Sequence, residues 1–84
     1  MRLSDKEMQN ISEGSLLNLV LTEMKMTMPG IDPYKALASG LNCSVQNVRN
    51  WVAEKGHPGV TNWFKIAEIA KTNLVTQWIL SHIK

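Results

Sequence analysis

Eighty-four residues, 44% of them hydrophobic, suffice for one domain with a small core and leave no room for a catalytic domain beside a regulatory one. The single cysteine excludes an internal disulfide, and no apolar run is longer than three residues, as at Leu19–Leu21, so neither a membrane span nor a secretory leader is expected and the chain reads as cytosolic. Net charge is only +2, but residues 1–32 hold three basic against five acidic side chains, net −2, and residues 33–84 hold six against two, net +4. A phosphate-facing side, if there is one, belongs to the second stretch, and chance asymmetry of a solvated surface is the competing explanation.

In chain order, Ser4 and Glu7 have capping-box spacing and predict a short helix from Asp5 to about Ser12. Gly14 reads as an interruption. From Ser15, the residues Leu17, Val20, Leu21, Met24 and Met28 recur at spacings of three and four, the stripe of a helix buried along one side, with Met26 off the stripe. Pro29 and Gly30 stop that helix. Asp32 before Pro33 then reads as a cap with proline at the first helical position. Leu37, Ala38 and Leu41 form one face of the next helix, which Asn42 leaves by accepting a left-handed conformation.

Ser44 caps a further helix in which Val45, Val48, Trp51 and Val52 repeat at helical spacing, ending near Gly56. His57 to Val60 read as loop and Thr61 as the next cap, before Trp63, Phe64, Ile66, Ala67 and Ala70 supply an apolar face. A last helix over 73–83 carries Leu74, Val75, Trp78, Ile79 and Ile83. No strand pattern or repeat appears. The fold class expected is all-α, a small bundle of four to five helices within a single domain spanning 1–84.

Two short helices joined by about three residues, over 34–53, have the layout of a helix-turn-helix, with room only for a small side chain, Ala38, where they cross. Leu41, Cys43, Val48 and Trp51 are expected to bury together and hold the pair rigid. The outer face of the second helix then offers Ser44, Val45, Gln46, Asn47, Arg49 and Asn50. A helix fits the major groove, where Gln and Asn pair with adenine, Arg with guanine, and Val meets a thymine methyl.

The run "ALASGLNCSVQNVRNW" resembles the helix-turn-helix of the Cro and CI-type repressor superfamily of phage regulators, and "PGVTNWFKIAEIA" resembles the helix that follows it in those proteins. "SLLNLVLTEM" and the Val-x-x-Trp of the second helix are similar to the CII-type phage activators. The resemblance covers about residues 15–72 and implies a lambda-repressor-like fold and sequence-specific binding of double-stranded operator DNA, palindromic or repeated, by a cytoplasmic transcription regulator that represses or activates. It implies base reading by Ser44, Val45, Gln46, Arg49 and Asn50, and phosphate contacts from Tyr34, Lys35, Asn47, Lys55, Thr61 and Asn62. It further implies a homodimer or homotetramer, with RNA polymerase as a further partner. Three positions depart from the family pattern: Asn42 stands where a turn glycine is commoner, Val45 where a polar base reader is frequent, and Tyr34 where glutamine clasps a phosphate.

For the assembly, Leu74, Val75, Trp78 and Ile79 offer an apolar surface in excess of what so small a core needs. Trp51 and Trp63 are expected as core anchors, and Cys43 as a buried small hydrophobe rather than a nucleophile. No enzyme, metal or cofactor is expected, since there is no carboxylate pair, no nucleophile with its base and no phosphate-cradling glycine loop. The competing reading is a module of the same fold that docks on a protein instead of DNA.

Overall fold

The computed structural model describes residues 4–82. Six helices account for its regular structure: α1 (Asp5–Asn10), α2 (Glu13–Thr27), α3 (Pro33–Leu41), α4 (Val45–Val52), α5 (Val60–Ala70) and α6 (Leu74–His82), with no strand among the described residues. That is more than the four or five expected, because the short first helix and the last one both form and pack on each other. Ile83, the last apolar position of the C-terminal pattern, lies outside the described residues.

The Ser4–Glu7 capping box is present, with the Ser4 hydroxyl accepting from the Glu7 amide and the Glu7 carboxylate accepting from the Ser4 amide. The helix ends at Asn10, short of the expected Ser12, because the Ser12 hydroxyl caps α2 by accepting from the Ser15 amide at 3.2 Å. α2 therefore begins at Glu13, and Gly14 does not interrupt it. Gly14 is buried in the first turn, where a Cβ would stand 2.8 Å from the Val52 carbonyl oxygen and 2.5 Å from Glu54 Cγ. Glycine is what lets the start of α2 meet the end of α4.

α2 is the hub of the fold and touches α3, α4, α5 and α6. Its stripe of Leu16, Leu17, Val20, Leu21 and Met24 is buried, joined in the core by Met8, Leu37, Ala38, Val48, Trp63, Ile66, Ala70, Leu74 and Val75. Burying a side chain the size of leucine contributes about 1.5–3 kcal/mol, and α2 supplies more of the buried core residues than any other helix. Two tryptophans tie the C-terminal helices to the α1–α2 junction. Trp63 Nε1 donates to Glu13 Oε1 at 2.7 Å, Trp78 Nε1 donates to the Ile11 carbonyl at 3.3 Å, and the two indoles lie 6.1 Å apart between centroids. Met26 is exposed, as its place off the stripe predicts.

Three helices end on a non-glycine residue in the left-handed region: Asn42 (φ 56°) after α3, Glu54 (φ 62°) after α4 and Lys71 (φ 53°) after α5. Each is followed by an amide that bonds five residues back, Cys43 to Ala38, Lys55 to Asn50 and Thr72 to Ala67, which satisfies a carbonyl left over at the helix end. α4 thus stops at Val52, with the turn through Glu54 occupying the stretch expected to be helical up to Gly56.

α5 departs from expectation at its start. It is entered from Gly59 at φ 83°, begins at Val60 and has no side-chain cap, so Thr61 lies inside the helix instead of capping it. Phe64 is 56% exposed although expected on the apolar face, because the buried line runs through Trp63, Ile66 and Ala70, and the next residue after Trp63 points about 100° away.

Candidate nucleic-acid interface at α3 and α4

Local chemistry sets both ends of the α3–α4 pair. The Asp32 carboxylate accepts from the amides of Tyr34 at 3.0 Å and Lys35 at 3.4 Å, and Pro33 occupies the first helical position. Asn42 turns the chain, Cys43 follows, and the Ser44 hydroxyl caps α4 by accepting from the Asn47 amide at 3.1 Å. Between the helices Ala38 is buried, Val48 is fully buried, and Leu41, Cys43 and Trp51 pack half-buried against the same core. Ala38 and Val48 are thus buried as expected, whereas Leu41, Cys43 and Trp51, expected to be buried with them and Trp51 as a core anchor, stay partly exposed at the edge of the core.

α4 packs on α2 and α3 and on no other helix. With Val48 as the buried direction, Gln46 and Asn50 fall on the opposite side and Asn47 and Arg49 to either flank, each residue turning about 100°. Gln46, Asn47 and Arg49 are exposed accordingly. Asn50 is half-buried and accepts at Oδ1 from Gln46 Nε2 at 3.0 Å. The Arg49 guanidinium carbon lies 5.5 Å from the centroid of the Tyr34 ring, within the range of a cation–π contact.

Of the residues expected to read bases, Gln46, Arg49 and Asn50 share this face. Ser44 is exposed at its edge with its hydroxyl engaged as the helix cap, whereas Val45 is half-buried against the core, because at three residues before Val48 it sits one turn away on nearly the same side. Of those expected to meet phosphate, Asn47 is exposed on α4, Lys35 on α3 and Lys55 in the turn after α4, while Tyr34 is half-buried beneath Arg49. Thr61 and Asn62 are not brought to α4, since α5 does not pack on it; the Asn62 amide instead donates to the Pro58 carbonyl at 2.9 Å.

The expected oligomer surface is corrected at Leu74 and Val75. Leu74 and Val75 are buried inside the chain's own core and Trp78 and Ile79 are packed half-buried against it, because α6 covers α1, α2 and α5. Among the described residues, the large apolar side chains left exposed are Met26, Ile31, Val60, Phe64 and Leu80. Cys43 is half-buried in the turn, and burial pushes its thiol above the ordinary range. No group of three or more potential metal ligands occurs among the described residues, and no described helix is long and apolar enough to cross a membrane.

Two relationships on this face were not anticipated. The Gln46–Asn50 bond follows from i, i+4 spacing and was readable in the sequence. The Tyr34–Arg49 contact joins two helices through a turn whose geometry no pattern of residues specifies. No protein-family model matches the chain, and no significant match is found among curated proteins or solved structures.

Proposed function

We propose that the chain binds double-stranded DNA as a transcription regulator of the Cro- and repressor-like helix-turn-helix kind, placing α4 in the major groove of an operator. The observation that carries this reading is the seating of α4: it is fixed from behind through Val48 on α2 and α3, and it turns Gln46, Asn47, Arg49 and Asn50 away from the core. A base reader needs that combination of a rigid back and an amide- and guanidinium-rich front. Lys35 on α3 and Lys55 in the turn after α4 are exposed and would supply phosphate contacts, and two chains on a palindromic or repeated site would present two such helices to successive grooves.

The test is a gel shift with the full chain and duplex DNA flanking its own gene, at two salt concentrations. Affinity falls steeply as salt rises, and Arg49→Ala weakens specific binding by roughly 1–3 kcal/mol while the thermal unfolding transition stays in place. Binding that ignores both the salt and the substitution removes this reading.

One observation favours docking on a protein instead. Val60 and Phe64, one turn apart on α5, are 68% and 56% exposed, and net charge is low. Association of that kind would persist at high salt and would be lost in Phe64→Ala rather than in Arg49→Ala.

A further inference from the structure

The bond between Gln46 and Asn50 carries more than helix stability. A glutamine amide has two hydrogens on Nε2, one on the same side as Oε1 and one pointing away from it. One of the two is held by Asn50 Oδ1 at 3.0 Å between heavy atoms. Both residues lie on the side of α4 opposite the buried Val48, where a helix entering a groove reaches deepest.

We infer that Asn50 is a positioning residue that locks the Gln46 amide for one base, an adenine, this inference resting on the DNA-binding reading above. For that role Asn50 takes the Nε2 hydrogen that points away from Oε1 and leaves free the one beside Oε1. The opposite edge of the amide then presents Oε1 as an acceptor beside the remaining N–H as a donor. That pair matches the major-groove edge of adenine, which offers the N6 amino group as donor and N7 as acceptor. Guanine sets two acceptors there, O6 and N7, so Oε1 would meet a carbonyl oxygen. Donating both Nε2 hydrogens to O6 and N7 of guanine would give up the bond to Asn50, because one of the two is the hydrogen that Asn50 Oδ1 accepts. Discrimination against guanine is therefore built by a residue that need not touch the base.

Asn50→Asp separates this role from a direct contact, since a carboxylate keeps the acceptor and loses every side-chain donor. The experiment is selection of bound sequences from a random double-stranded DNA pool by the full-length wild type and by Gln46→Ala, Asn50→Ala, Asn50→Asp and Arg49→Ala, each first shown by circular dichroism to melt as a folded helical protein. Wild type is expected to prefer A·T at one position by roughly tenfold over G·C. Gln46→Ala and Asn50→Ala relax that same position, Asn50→Asp retains the preference there while binding all sequences more weakly, and Arg49→Ala relaxes a different position.

A preference for adenine untouched in Asn50→Ala overturns the inference while leaving DNA binding in place. So does relaxation at a separate position, which would make Asn50 a reader in its own right, and so does an Asn50→Asp variant as relaxed as Asn50→Ala. A pool from which the wild type enriches nothing overturns the DNA-binding reading and the role of Asn50 together.

Discussion

The guanidinium of Arg49 lies over the ring of Tyr34, 5.5 Å from its centroid, so a side chain on the front of α4 is steered by the first turn of α3. Tyr34 stands where a phosphate contact through its hydroxyl was expected, and its ring also lies beneath the Arg49 guanidinium. A cation held over an aromatic face at an exposed site is stabilised by about 0.5–1 kcal/mol, and an arginine restrained in advance loses less freedom when it binds.

Under the proposed function, Tyr34→Phe therefore binds operator DNA as the parent does, and Tyr34→Leu binds it roughly two- to fivefold more weakly, in line with that cation–π range. Fluorescence anisotropy with one labelled duplex resolves the difference. An equal loss in both variants would assign the role to the hydroxyl.

Asn42 holds φ 56°, a conformation that costs a residue with an ordinary Cβ about 1–2 kcal/mol and that asparagine and glycine tolerate. Asn42→Ala should lower stability in urea unfolding by about 1 kcal/mol, whereas Asn42→Gly should stay within about 0.5 kcal/mol of the parent. An alanine variant as stable as the parent would mean that the turn between α3 and α4 relaxes without strain.

Gly14→Ala tests the approach of α2 to α4. In an open helix this change would stabilise by about 1 kcal/mol. Here the added carbon would meet the Val52 carbonyl, a backbone atom that cannot swing aside as the Glu54 side chain can. The expected outcome is a loss of about 1–3 kcal/mol in thermal or urea unfolding, the range for overfilling a packed contact. A gain in stability would show that the two helices are not held at this distance.

Cys43 provides a pH test. Burial raises its thiol pKa, so in the folded chain the thiol stays protonated at pH values where the unfolded thiol has begun to ionise. Its contribution to stability is present in full below the unfolded pKa and is lost as pH rises through the folded one. Reaction with a disulfide reagent should be slower folded than in urea at the same alkaline pH, with a midpoint displaced upward, and Cys43→Ala should lose this part of the alkaline destabilisation. Coincident rate profiles in the two states would rule out the desolvation.

Much of the architecture could be read from neighbouring residues. Ser4, Ser12, Asp32 and Ser44 all accept from the amides of the helices they precede, and three of those helix starts were expected. Ser12 was missed because Gly14 looked like a break, a judgement about propensity that a single close contact with Val52 overrides. Thr61 was taken for a cap because threonine commonly is one, while Gly59 at φ 83° lets the chain turn into α5 earlier.

The α6 surface was misjudged for a related reason. Leu74, Val75, Trp78 and Ile79 exceed what a bundle of four or five helices needs, and they find partners once α1 forms and closes over α6, with Met8 fully buried and Gln9 Nε2 donating to the Ser81 carbonyl at 3.1 Å. A hydrophobic stripe declares that something covers it. It does not declare whether the cover is the same chain.

Caps, turn residues and helical periodicity act over four or five residues, so most of the helical segments, the Asn42 turn and the shared face of Gln46, Arg49 and Asn50 follow from local order in the chain. The seating of α4 on α2 through Gly14, the placing of Arg49 on Tyr34 and the burial of Leu74 and Val75 depend on contacts between residues far apart in sequence. Those contacts form when apolar stripes compete for the same core, and that competition is settled by the shapes of whole helices rather than by any one residue's preference.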